Sequence, residues 1–175
     1  MNYSDYDLRK LVLDAINRST EDINIEFKDC RDGLYKQLWK PITAFSNSPG
    51  GGIIFLGIYE NPDTKEKTIV GGLKLDILQQ NIISLIEQQI NNKADYQIRI
   101  FDCQNEKLLA IVLSETPKEN KPCYFSELGI DKGACVRTGN RNRHITEEEL
   151  RSFLRYTPAY NYDRTIVTNS TLFKP

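Results

Sequence analysis
Three carboxylates and a lysine are the residues most able to do chemistry in this chain. Glu21 and Glu26 stand five residues apart in "TEDINIEFKD", Lys28 follows two residues later, and Glu60 closes the apolar run "GGIIFLGIYE". Carboxylate oxygens are the ligands that Mg²⁺ and Mn²⁺ favour, and such an ion activates water and steadies developing charge on a phosphate. On a strand, Glu26 and Lys28 share one face, because side chains alternate with a period of two. If Glu60 ends a neighbouring strand, Glu26 and Glu60 converge. The plainer reading is a solvated strand face carrying a Glu/Lys pair, and the spacing alone favours it.

A second group is basic. In "CVRTGNRNRH", residues 135–144, Arg137, Arg141, Arg143 and His144 fall close together in an otherwise near-neutral chain. The interleaved Gly and Asn residues predict an exposed loop, which suits phosphate contacts. A solvated connection before a capped helix fits the same residues. His144 is the only histidine, so a His-based metal site or a His–Cys nucleophile pair is hard to build. The four cysteines, Cys30, Cys103, Cys123 and Cys135, form no Cys-x-x-Cys pair. That spacing is a poor zinc pattern, is too sparse for a disulfide scaffold, and predicts reduced thiols. The glycines of "SPGGG" precede a strand instead of opening a helix, and neither a P-loop nor a G-x-G-x-x-G is present. ATP binding is therefore not expected, and the glycines predict a tight helix-to-strand turn or a close backbone approach.

These side chains depend on the elements that carry them. "LRKLVLDAI" puts Leu8, Leu11, Val12, Ala15 and Ile16 on one helical stripe. "INIEFK" alternates as a half-buried strand over 23–28, with Ile23, Ile25 and Phe27 on one side. Residues 34–47 predict a helix that Pro41 kinks or interrupts. "GIIFLGIY" is apolar throughout, as in a central strand covered on both faces. "ENPDTKEKT" predicts a turn, "IVGG" a short strand, and "DILQQNIISLIEQQI" a helix. "YQIRIFDC" and "KLLAIVLSE" predict a hairpin. "PCYF" and "ACVRTG" read as short strands, and "TEEELRSFLRY" as a helix opened by a Thr146–Glu149 capping box. The order predicts an α+β (mixed α/β) fold, a single lobe with a mixed sheet flanked by helices. Residues 1–155 form the expected domain, and 156–175 a tail or the start of a linker.

Composition bounds the alternatives. The chain has 175 residues, 39% hydrophobic and 27% charged, with a net charge of −1. That suits one globular domain, and any nucleic-acid-binding surface must be local. No run approaches the length of a membrane span, and the start is charged from Asp5 onward, unlike a signal peptide. A cytoplasmic location is expected.

Three segments, "EDINIEFK", "ITAFSNSPGGGIIFLGIYE" and "CVRTGNRNRHITEEEL", together resemble the Schlafen-type, AlbA-like (divergent AAA) nucleic-acid-binding domain over about residues 19 to 155. The resemblance implies a domain that binds RNA or DNA. In the animal relatives it implies a metal-dependent endoribonuclease acting on tRNA and rRNA. Carried over by motif, Glu21, Glu26 and Glu60 become the catalytic and metal-holding acids for Mg²⁺ or Mn²⁺, and Lys28 offsets charge at the phosphate. Arg137, Arg141, Arg143 and His144 then line the nucleic-acid path. Glu60 is one methylene longer than the family's aspartate, and no zinc site has a counterpart. The animal proteins join two such lobes, so the resemblance implies a homodimer here. Its alternative is a non-catalytic DNA/RNA-binding or transcription-regulatory module of a larger protein, and a weaker one is a protein-interaction domain.

Overall fold
The computed structural model describes residues 2–18 and 23–158. Glu21 and most of the expected tail, from residue 159, lie outside the described residues. Helix α1 (Asp5–Asn17) leads to β1 (Ile25–Lys28), α2 (Trp39–Asn47), β2 (Gly52–Leu56), β3 (Ile58–Glu60), β4 (Lys67–Ile69) and α3 (Leu75–Gln89). Then come β5 (Ile90–Asn91), β6 (Tyr96–Cys103), β7 (Glu106–Leu113), β8 (Tyr124–Phe125), α4 (Gly129–Gly133), β9 (Cys135–Thr138), β10 (Arg141–His144) and α5 (Glu147–Leu154). The fold is α+β, as the pattern of periods predicts.

The central sheet has the order β1-β2-β7-β6. Strands β1 and β2 are parallel, and the other neighbours are antiparallel. Alternation splits each inner strand between two cores. Ile54 and Leu56 of β2 join Leu109, Ile111 and Leu113 of β7 in a cluster with α2 and α3. Ile53 and Phe55 join Leu108, Ala110 and Val112 in a cluster with Leu8 and Val12 of α1. Helices thus cover both faces, and that is why "GIIFL" and "LLAIVL" carry no polar residue. Edge strand β1 is different. Ile25 and Phe27 face the α1 cluster. Glu26 and Lys28, paired in register with Ile54 and Leu56, face the α2 side.

Four expectations change. Ile23 is exposed, and the first strand begins at Ile25. Helix α2 begins at Trp39, with 36–38 as a turn before it. Pro41 is therefore in the first helical turn, where no intrahelical N–H bond is lost, and it neither kinks nor interrupts the helix. The strand expected to run from the glycines to Glu60 breaks at Gly57, whose φ of 101° lies in glycine territory. There the chain leaves β1, with the Gly57 N–H still donating to Lys28 O, and β3 pairs with β4 instead. Finally, the strand expected over "ACVRTG" is β9, but residues 141–144 are not loop: they form its partner β10 in a hairpin turned at Gly139 and Asn140. Local polarity hid β10, which carries no periodic apolar stripe.

The glycine stretch has a packing reason. Gly51 has a φ of 70°, and a Cβ there would stand 2.0 Å from Leu113 O at the end of β7. The preceding helix end is tied down by Asn47, which is buried. Its amide donates to Cys123 O (2.8 Å) and Cys135 O (2.9 Å), and its Oδ1 accepts from the Cys123 N–H (2.7 Å). One side chain thereby joins α2 to the segments entering β8 and β9. Among the described residues the cysteines are unpaired and buried, and burial pushes the Cys123 thiol up to about 12. No described helix is long and apolar enough to cross a membrane.

Candidate functional site
The break at Gly57 opens a cleft between the edge of β1 and the β3–β4 ribbon, closed at one end by the tip of the β9–β10 hairpin. It holds about 630 Å³ and is lined by Glu26, Lys28, Asp29, Tyr35, Tyr59, Glu60, Lys65, Lys67, Arg137 and Arg141, among others. Glu26 and Glu60 do share one cleft, as the spacing allowed. Neither carboxylate is free. Lys28 donates to Glu26 Oε1 at 2.6 Å, and Arg137 donates to Glu26 Oε2 at 2.7 Å. Glu60 lies 3.8 Å from the Lys65 ammonium and 3.4 Å from that of Lys67.

Each cation is placed by a different device. Lys67 stands opposite Glu60 in the β3–β4 register. Its side chain is 2% exposed, with the ammonium 5.5 Å from the centre of the Phe27 ring. Lys65 is brought round by the turn between these strands. There Asn61 Oδ1 accepts from the N–H groups of Asp63 and Thr64, an Asx-type turn. Lys28 also lies 5.0 Å from the Tyr35 ring centre.

Arg137 is the most engaged of the four basic candidates. Its guanidinium donates to Glu26, to Asn142 Oδ1 (2.8 Å), and to the carbonyls of Ile23 (2.9 Å) and Ile25 (3.0 Å). It lies 5.0 Å from the Phe45 ring centre. Only 6% of the side chain is exposed. It covers the open edge of β1 and clamps the hairpin to it, so it positions Glu26 and offers little to an incoming phosphate. Position along the hairpin then separates the rest. Asn142 pairs with Arg137, whereas Arg143 pairs with Val136. Arg143 makes a two-pronged ion pair with Glu149 (2.8 and 2.7 Å) outside the cleft. His144 is exposed beside Trp39, with ring centres 6.2 Å apart. Arg141, near the hairpin tip, is exposed and lines the cleft.

Spacing alone missed Lys65, Lys67, Tyr35 and Tyr59. The two lysines were findable only from hairpin symmetry about the "NPDTKE" turn, which sets Lys67 across from Glu60. Tyr35 sits in an irregular stretch and left no signal. As metal ligands, Glu26 and Glu60 are already neutralised from both sides. Among the described residues no three Asp, Glu, His or Cys side chains stand together as a metal site would need. Glu21, the third acid of the expected set, lies outside the described residues.

Residues 21–146 match the Schlafen, AlbA_2 family. The fold is similar to the solution structure of the N-terminal domain of an ATP-dependent DNA helicase RecG-related protein from Nitrosomonas europaea. That match has 25% identity and a TM-score of 0.58, and it covers 83% of this chain and 95% of that one. It is also similar to the crystal structure of the DIP2311 protein from Corynebacterium diphtheriae, at 19% identity and a TM-score of 0.52. There 86% of this chain is covered but only 28% of the other, and the likeness is one of fold. No curated protein matches the chain.

Proposed function
Because the chain belongs to the Schlafen, AlbA_2 family, a nucleic-acid-related one, we propose that its cleft binds the phosphate backbone of RNA or DNA. The observation that carries this reading is the charge inside the cleft. Five cations, Lys28, Lys65, Lys67, Arg137 and Arg141, line it beside three carboxylates, Glu26, Asp29 and Glu60, with the buried Lys67 and Arg137 adding to the field and the other three open to contact. The chain as a whole has a net charge of −1. A local cationic excess in a concave, partly desolvated place focuses attraction for a polyanion. The name of the Nitrosomonas europaea protein, which refers to a DNA helicase, is consistent with it.

The test is the salt dependence of oligonucleotide binding, read by fluorescence anisotropy. Lys65 and Arg141 are the cations to remove, because both are exposed and neither holds a buried partner. Lys65→Ala with Arg141→Ala should lower the slope of log affinity against log salt by roughly 1.4 to 1.8. Unchanged binding at every salt concentration would place the contact surface elsewhere.

A second reading, a metal-dependent endoribonuclease using Glu21, Glu26 and Glu60, is favoured by one observation: Glu26 and Glu60 line the same cleft. It requires Lys28 and Lys67 to release their carboxylates when Mg²⁺ or Mn²⁺ enters. Cleavage of structured RNA with and without Mn²⁺, by the natural chain and by Glu26→Gln, tests it. We further propose a homodimer, which would set two such clefts on one nucleic acid.

A further inference from the structure
Tyr35 and Tyr59 are 45% and 41% exposed, and both line the cleft that holds the cations. Exposed aromatic rings are ordinary when scattered singly. Two on the wall of one charged cleft are a different matter, because phosphate attraction needs no ring. The Tyr35 ring also adjoins the charged network of the cleft. A chain of contacts runs from Arg137 to Glu26, from Glu26 to Lys28, and from the Lys28 ammonium to the ring, at 2.7, 2.6 and 5.0 Å. Tyr59 is carried on the β3–β4 ribbon, opposite Thr68. A tyrosine ring is a platform for an unpaired base, and such stacking tolerates any base identity. The cleft volume of about 630 Å³ falls in the range of sites that enclose small molecules, not helices.

We propose that this cleft takes an unpaired nucleotide. Its base stacks on Tyr35 or Tyr59, and its phosphate lies toward Lys28, Lys65 and Arg141. The ligand class is therefore single-stranded or locally unpaired RNA or DNA. The inference rests on the phosphate-binding reading above and goes beyond it, since a backbone site alone would accept a duplex equally well.

The experiment compares four labelled probes: a single-stranded RNA, a single-stranded DNA of the same sequence, its DNA duplex, and an abasic DNA strand with the same number of phosphates. Proteins are the natural chain, Tyr35→Ala, Tyr59→Ala, both Tyr→Phe variants, and the Lys65→Ala/Arg141→Ala double variant. Thermal melts confirm that each is folded. The expected result is weaker binding of the duplex and the abasic strand. Alanine at the stacking tyrosine should weaken single-strand binding about five- to a hundredfold, while phenylalanine retains it. Because stacking releases no counterions, the salt slope should not change with that loss, whereas the double variant should flatten it. Which of the single-stranded RNA and DNA binds more tightly identifies the polymer. If both alanine variants bind every probe as the natural chain does while the double variant is weakened, the stacking proposal is overturned and the phosphate reading stands. If the double variant is also unaffected, both fall.

Discussion

At the residue scale, Glu26 is where two readings of the cleft part company. Its carboxylate lies between Lys28 and Arg137, and only 14% of the side chain is exposed. Glu26→Gln keeps the size but removes the charge, and its single amide oxygen can accept from only one of Lys28 and Arg137. If the cleft receives phosphate, the released charge on Lys28 strengthens oligonucleotide binding at low salt, by several-fold, and the difference closes as salt rises. If the acid serves a metal, the same variant loses Mn²⁺-dependent cleavage. Binding and cleavage assays on one protein preparation therefore report opposite signs. The substitution also weakens a half-buried charged hydrogen bond, so a loss of about 1–3 kcal/mol in urea unfolding is expected.

Among the elements, α5 shows how an acid that looks like part of a charged surface becomes a fastening. Thr146 and Glu149 form the capping box that the sequence announces. Glu149 does a second job by receiving Arg143 from β10. That guanidinium first, and then the Thr146 N–H, hold its carboxyl at about 2, below its ordinary 4.5. A depressed carboxylate pKa stabilises the fold above the unfolded-state value and loses that contribution as pH falls through the folded-state value. The attachment of α5 to the hairpin should therefore be intact above about pH 4.5 and weaken toward pH 2. The effect is small, about 1 kcal/mol or less, because the pair is a third or more open to water. Amide exchange of α5 across that pH range measures it. Glu149→Gln should remove the pH dependence and leave the helix weakly held throughout.

For the whole molecule, the central sheet ends in two unlike edges. The outer edge of β1 is covered, since Arg137 occupies the carbonyls of Ile23 and Ile25. At the other end, among the described residues, β6 has β7 as its one strand neighbour, and Arg9 donates to Asp102 O near the hairpin turn. An eight-residue edge strand with Ile100 exposed on it is a place where a second sheet can add. The proposed homodimer is expected to use this edge. Light scattering should then report a dimer, and Ile100→Lys should shift it toward monomer, because an edge lysine opposes strand addition. A natural chain that stays monomeric at high concentration, or a dimer indifferent to the lysine, would count against that assembly.

Periodicity in the sequence determined the frame. Apolar runs in "GIIFL" and "LLAIVL" required covered faces, "YQIRIFDC" and "KLLAIVLSE" required a hairpin, and Thr146 with Glu149 marked a helix start. These features are local, because each depends on neighbours a few positions away and on burial of one side or both. The partners of the charged side chains were not legible in this way. Arg137 reaches Glu26 across 111 positions, and Lys67 meets Glu60 only because Gly57 redirects the strand into a new ribbon. Four basic residues that look like one cluster in "RTGNRNRH" are divided by their places along the hairpin: Arg137 is a clamp, Arg143 fastens α5, Arg141 near the tip lines the cleft, and His144 is exposed beside Trp39. A sequence records which charges exist. Strand register and the close approach of distant segments decide which of them neutralise one another and which remain for a ligand, because Coulomb attraction follows distance and desolvation in space.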